Sequence, residues 1–164
     1  MIEQQKQPDF TVKSFDELTL RELHGIYCTR AEVFTRGQKI TEPDPDETDI
    51  NCIHMFHQDA DGTILAYIRM FDCGKYVDES HELMPGAWTI GRVAVHEKAR
   101  GMGLGRTILE TGIRWIKENT SADRIELTAQ SYLKDTLYRE FEEYGEEFME
   151  AGIPHVHKVL PLHP

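Results

Sequence analysis

Two periods organise the hydrophobic positions of the chain. Alternation through Phe10-Thr-Val-Lys-Ser-Phe15, and the short apolar blocks at 52–57 and 63–71, read as strands. Asp59-Ala-Asp-Gly62 between the two blocks is a tight-turn sequence, so they are expected to form a hairpin. The β-branched run Trp88–Val95, then Arg124–Gln130 and Ile153–Leu160, supply further strands. Helical spacing appears three times. It joins Leu23, Ile26, Tyr27, Ala31 and Phe34 (with Gly37 as the stop), then Leu104, Ile108, Leu109, Gly112, Trp115 and Ile116, then Leu133, Leu137, Tyr138, Phe141 and Tyr144. Ser14-x-x-Glu17 and Thr19-x-x-Glu22 compete as capping boxes for the first helix. Residues 1–8 read as a loose tail, and 72–87 as a polar loop. Residues 38–51 are acidic, and their prolines exclude a regular element. An early hairpin and a late strand–helix–strand unit predict an α/β (α+β) fold, a mixed sheet with helices on both faces.

Composition narrows the function. The 164 residues suit a single domain spanning 1–164. A formal net charge of −11 with no basic run excludes nucleic acid as a partner and is compatible with a cationic amine. No stretch approaches the ~20 apolar residues of a membrane span, so no membrane partner is expected. The N-terminus lacks the apolar core of a signal peptide, and Cys28, Cys52 and Cys73 are too scattered for a disulfide framework or zinc cluster. A cytoplasmic monomer or homodimer is the expectation. A metal site built on His155-x-His157 with His54 or His57 lacks a further acid or cysteine at ligand spacing, so no metal is expected. The carboxylates of 38–51 read either as a lip attracting an amine or as a solvated loop.

The chemistry concentrates where the Ile90–Val95 strand runs into Arg100-Gly-Met-Gly-Leu-Gly-Arg106 and then a helix. A strand, a glycine loop and a helix start aim unpaired N–H groups and the positive end of the helix dipole at one point. Glycines let a phosphate approach with no Cβ in the way. The spacing is neither Gly-x4-Gly-Lys-Ser/Thr nor Gly-x-Gly-x-x-Gly, and a pyrophosphate is the anion it suits best.

Arg-x-x-Gly-x-Gly after Val-Ala-Val resembles the coenzyme A loop of the GNAT family of N-acetyltransferases. Arg30-Ala-Glu32-Val-Phe34, His54, Ala66-Tyr-Ile-Arg69, Ile90-Gly-Arg-Val93, Ala129-Gln130 and Gly152-Ile-Pro-His155 resemble its ElaA-type group. The resemblance implies a mostly antiparallel sheet of about six or seven strands with the glycine loop at its centre. It implies transfer of an acetyl group from acetyl-CoA to a primary amine, on a small molecule or an exposed peptide or protein, by direct attack on the thioester. The backbone of Val93, Ala94 and Val95 would pair with the pantetheine arm. Gly101, Met102, Gly103, Leu104, Gly105 and Arg106 would hold the pyrophosphate, with Arg100 beside them and Gln130 completing the cofactor site. One N–H of Val93–Val95 would meet the oxyanion.

Tyr138 is the candidate general acid for the departing thiolate. The family's tyrosine falls one residue earlier, where Leu137 stands, and a helix there would rotate Tyr138 by roughly 100°. The family's frequent strand glutamate is replaced by Thr89. The base must come from Glu32, His54, Glu126 or His155, with His155 and Glu32 carried forward as candidates, unless the amine arrives neutral. The competing reading is a binding or regulatory module that holds coenzyme A without turnover.

Overall fold

A computed structural model describes residues 8–40, 44–78 and 82–163. The expected tail up to residue 7, residues 41–43 of the acidic loop and 79–81 of the polar loop lie outside it. Seven strands form one mixed sheet in the order β1-β2-β3-β4-β5-β7-β6. They are β1 (Thr11–Ser14), β2 (Ile53–Gln58), β3 (Ile64–Asp72), β4 (Ala87–Val95), β5 (Arg124–Gln130), β6 (Glu142–Glu150) and β7 (Ile153–Pro161). Every pairing is antiparallel except β4 with β5.

Two helices cover opposite faces. Helix α1 (Leu20–Arg30) packs Ile26 against Phe56, Ile64 and Tyr67. Helix α2 (Leu104–Asn119) packs Leu104, Ile108, Leu109 and Ile116 into a second core with Ala66, Ile68, Met70 and Ile90. Tyr67 faces one helix while Ala66 and Ile68 face the other, as alternation along β3 requires. At Gly112 a Cβ would come within 2.5 Å of Ile68 Cδ1, so α2 lies hard on the sheet.

The two capping boxes do not compete. Ser14 opens a single 3-10 turn at Phe15–Glu17, and Thr19 accepts from the Glu22 N–H to start α1. The α1 apolar pattern continues past its end as a π-helical segment, Ala31–Gly37. A 3-10 turn at Glu47–Asn51 corrects the expectation that residues 38–51 hold no regular element.

The larger correction concerns the third helical pattern, at 133–144. Ser131–Leu133 form one 3-10 turn, irregular turns follow, and Tyr144 lies in the edge strand β6. Two side-chain cations take carbonyls that a helix would have used. Lys158, only 3% exposed on β7, donates to the carbonyls of Lys134 (2.9 Å), Tyr138 (3.3 Å) and Phe141 (3.0 Å). Arg106 donates to the carbonyl of Leu137 (2.8 Å) and to Glu140 (2.6 Å). Satisfying carbonyls with side-chain cations makes a non-helical turn as well bonded as a helical one.

Among the described residues of the acidic loop, Asp44, Asp46 and Asp49 are neither solvated nor free to attract an amine, because arginines engage all three. Asp49, 1% exposed, accepts from Arg30 of α1 (2.7 Å) and Arg69 of β3 (2.9 Å). Asp44 pairs with Arg30 and with Arg92 of β4 (3.0 Å), and Asp46 pairs with Arg69 (2.6 Å) and Arg92 (3.2 Å). Burial works against the Asp49 charge, but the two guanidiniums hold its carboxyl below the usual carboxylate range. Beside it, His54 is sealed in. Its Nε2 lies 2.9 Å from the Asp49 carbonyl and its Nδ1 2.7 Å from the Tyr67 hydroxyl. A neutral ring donating from Nε2 and accepting at Nδ1 satisfies both contacts.

Two predictions follow from these contacts. Asp49→Ala leaves two buried guanidiniums without their shared carboxylate and is expected to cost about 3–5 kcal/mol. Urea unfolding reads this, and a loss under 1 kcal/mol would show the network to be dispensable. The second concerns pH. Burial pushes the His54 imidazole below its ordinary value of 6.5. As pH falls past that value the unfolded chain takes up a proton that the folded chain refuses, so stability declines. The urea midpoint of the wild type should therefore drop between pH 7.5 and 5.5 more steeply than that of His54→Gln, and equal slopes would sink the assignment.

Candidate active site

Strands β4 and β5 pair only at their beginnings, Ala87 with Arg124 and Trp88 with Ile125, and then part. From Thr89 onward the β5 side of β4 has no strand partner. On its other side β4 carries a bulge. Gly91 pairs with Arg69 and Ala94 with Tyr67, so β4 holds one residue more than β3 over that step. Arg92 stands in the bulge with φ at +49°, a conformation that costs a non-glycine residue about 1–2 kcal/mol. Its guanidinium is tied down by Asp44 and Asp46, which offsets that cost.

The parted strands open a cavity of about 640 Å3. Ile90, Gly91, Arg92 and Val93 of β4 and Thr128 and Gln130 of β5 form its sides. Phe34, Gln38, Ile40 and Asp44 close it from the α1 side, and Leu133, Leu137 and Tyr138 from the turn after β5. Phe148, Met149, Glu150, His155 and His157 line its far end. Gln38 and Gln130 exchange amide hydrogen bonds of 2.9 and 3.3 Å, bridging the segment after α1 to the end of β5.

His96 and a 3-10 turn at Glu97–Ala99 lead from the end of β4 into the glycine loop. Gly101 and Gly103 have φ of +81° and +73°, and a Cβ at either would meet nothing within 4 Å, so the loop encloses open space. Gly105 packs against Val95, 3.4 Å from a Cβ position to Cγ2. Gly103 is the N-cap of α2 and brings no side chain to cap it, and no acid lies in the first turn. The first helical bond runs from the Thr107 N–H to the Gly103 carbonyl (3.1 Å), so the N–H groups of Leu104, Gly105 and Arg106 precede it. These N–H groups and the helix dipole make the loop a cradle for an anion. Met102 (67% exposed) and Arg100 stand at its rim. The Arg106 side chain does not point to it freely, because Leu137, Glu140 and Glu110 engage its guanidinium.

The catalytic candidates separate. Tyr138 is buried, lines the cavity and packs edge-on against Phe141 at 6.1 Å. Because the turn is not a helix, the rotation expected between Leu137 and Tyr138 does not arise, and both side chains reach the cavity. Burial pushes the Tyr138 phenol up, so it carries its proton at neutral pH. His155 also lines the cavity, with Nδ1 2.7 Å from the Ile153 carbonyl and Nε2 3.5 Å from Glu150. Glu32 does not join them: its carboxylate lies 2.8 Å from His96 Nε2, and it is not part of the cavity wall. His54 is sealed as described. Glu126 accepts from the Tyr144 hydroxyl (2.5 Å) and Arg124 (3.0 Å). Thr89 is buried.

Sequence reasoning missed Gln38, Arg92, His157 and Phe148 as cavity residues. His157 had a signal, its alternation with His155, whereas Gln38 and Arg92 arrive through a bridging contact and a bulge that no periodicity encodes.

The comparisons place this geometry. The family model described as Acetyltransferase (GNAT) family matches residues 20–145. A UPF0039 protein of Schizosaccharomyces pombe is 31% identical over 156 residues, which cover 94% of this chain and 97% of that one. The crystal structure of an acyl-CoA N-acyltransferase from Pseudomonas aeruginosa superimposes with a TM-score of 0.81 at 30% identity, covering 93% of this chain and 98% of that one. Escherichia coli ElaA, at 23% identity and a TM-score of 0.78 over 92% of this chain and 98% of its own, shares the fold. With the parted β4 and β5 strands and the glycine cradle, these matches show that the chain belongs to the acetyltransferase (GNAT) family.

Proposed function

We propose that the protein transfers an acetyl group from acetyl-CoA to a primary amine, carried by a small molecule or exposed on a peptide or protein. The observation that carries this reading is the continuity of the unpaired β4 edge with the glycine cradle. Unpaired strand backbone accepts an extended arm by adding hydrogen bonds like a further strand. Val93, Ala94 and Val95 would pair in this way with pantetheine. The N–H groups from Gly101 to Arg106 would hold the pyrophosphate, with Arg100 at the rim and Gln130 at the end of β5. Among the described residues no helix is long and apolar enough to cross a membrane.

Chemistry would then occur where the arm ends, in the cavity. The amine attacks the thioester carbonyl, whose oxygen collects negative charge and is met by an N–H of the β4 strand. Tyr138 protonates the leaving thiolate. Burial keeps the phenol protonated at neutral pH but also makes it a weaker acid, so the proton moves only as the C–S bond breaks and full negative charge develops on sulfur. The imidazole wall of β7, with His155 the residue singled out from the sequence, is the place for the acceptor's proton to go. Glu32, paired with His96 away from the cavity, is left without a catalytic part in this scheme.

Two variants test the proposal. Gly103→Glu puts a carboxylate into the open space of the cradle and is expected to abolish acetyl-CoA binding in calorimetry, whereas Gly103→Asn, which tolerates positive φ, should keep most of it. Unchanged affinity in a folded Gly103→Glu protein would remove the cradle from the mechanism. Tyr138→Phe should lower kcat ~10²-fold or more and leave acetyl-CoA affinity nearly as it was. A drop of less than threefold would make Tyr138 a packing residue, and tight binding without turnover in the wild type would favour a regulatory module.

A further inference from the structure

We infer that His157, and not His155, takes the proton of the acceptor amine; the inference rests on the acyl-transfer reading above. Both imidazoles face the cavity from β7, in register with Thr128 and Gln130 of β5. Their environments differ. Both His155 nitrogens are engaged, Nδ1 with the Ile153 carbonyl and Nε2 beside the Glu150 carboxylate. His157 lines the cavity half-buried, and its nitrogens make no hydrogen bond among the described residues.

The ring is nevertheless held. It stacks with Tyr144 (centroids 5.3 Å, planes 19° apart) and with Phe148 (4.6 Å, 27°). Tyr144 and Phe148 are four residues apart, and in a regular strand that separation is about 13 Å. A bulge between them, with Gly145 at φ +72°, shortens the path so that both rings reach one imidazole. Tyr144 is fixed in turn through its hydroxyl on Glu126, which Arg124 also holds. The stacking uses ring faces and leaves the nitrogen-bearing edge for a ligand. An unbonded base with a fixed plane at the end of a cavity is what proton removal from an ammonium requires. The charged and titratable groups around it are the Arg124–Glu126 pair on β5, Tyr144 and Glu150 on β6, His155 on β7, and the Arg92–Asp44 pair at β4. None of these forms an ion pair with His157.

The ammonium gives one proton to His157, which passes it to solvent. The freed lone pair forms the C–N bond. The C–S bond breaks, its electron pair leaving on sulfur, and the second amine proton makes up the one that Tyr138 donates to the thiolate. The products are the amide, the free thiol and one released proton.

Two acceptors separate a base from a packing residue. Hydroxylamine is neutral at pH 7 and needs no base, whereas benzylamine is an ammonium at pH 7 and does. With acetyl-CoA as donor, His157→Gln and His157→Phe (which preserves a ring in the stack) are expected to lose ~10²-fold or more in kcat with benzylamine at pH 7. They should keep acetyl-CoA affinity, stay within threefold of wild type with hydroxylamine, and recover benzylamine turnover as pH rises toward the amine's own pKa. Equal turnover of wild type and both variants with benzylamine, or equal losses with both acceptors, would overturn the inference while leaving acyl transfer standing. A wild type that binds acetyl-CoA and acetylates neither acceptor would overturn the acyl-transfer reading and this inference with it.

Discussion

Three aspartates of one short loop hold three arginines that come from three different elements, and the site depends on that arrangement. Asp49 joins Arg30 at the end of α1 to Arg69 on β3, while Asp44 and Asp46 reach across to Arg92 in the β4 bulge. Burying so much charge gives little net stability over an apolar core, but it is very costly to disrupt in part, so it fixes geometry. Here the fixed geometry is that of the bulge. A non-glycine residue at φ +49° would relax if released, and the two aspartates prevent release. The bulge lies beside the point where β4 and β5 part, so a network on the α1 face constrains the backbone edge that the proposed cofactor would meet.

The same logic explains which parts of the molecule could be read from the sequence. Alternation gave β1, apolar blocks and a β-branched run gave the β2–β3 hairpin and β4 alongside β5 and β7, and the 3.6 period gave α1 and α2, because these segments are buried against a core, β3 on both of its faces. The glycine cradle was legible because positive φ at Gly101 and Gly103 is a local demand that the chain answers locally. The 133–144 segment was not. Its apolar positions do have helical spacing, yet Lys158 and Arg106, distant in sequence, take its carbonyls and make an irregular turn the better-bonded state. Tertiary hydrogen bonds of this kind leave no periodic trace. β6 was hidden for a related reason: as an exposed edge strand rich in glutamate it has hardly any buried face to set a period.

The acidic loop shows how misleading local composition can be. Asp44, Asp46 and Asp49 look from the sequence like a solvated run or a lure for amines, and their partners Arg30, Arg69 and Arg92 are scattered over the chain. Once those pairs are formed, Asp44, Asp46 and Asp49 present little uncompensated negative charge to the cavity. An acceptor would then be selected by the walls that remain, the apolar side chains of Phe34, Ile40, Leu133 and Phe148 together with imidazoles and amides, more than by attraction to carboxylates. The net charge of −11 can attract a cation at long range without recognising it at contact.

Parting two strands also solves a problem of proton traffic. A closed sheet would keep Tyr138, packed with the α2 core, apart from His157, which faces the other way along β7 from the buried Val156 and Lys158. Opening β4 from β5 lets side chains from both faces line one cavity. In the proposed reaction a donor for the thiolate and an acceptor for the ammonium proton would thereby be presented from different sides to one carbonyl carbon. They are also held by different means, Tyr138 by backbone carbonyls clamped on Lys158, His157 by stacked rings with its nitrogens left unbonded. The proposed acid is buried, which keeps it protonated, and the proposed base is open at its edge, which would let it exchange with solvent. That asymmetry suits a reaction in which one proton is passed on inside the site and another is released from it.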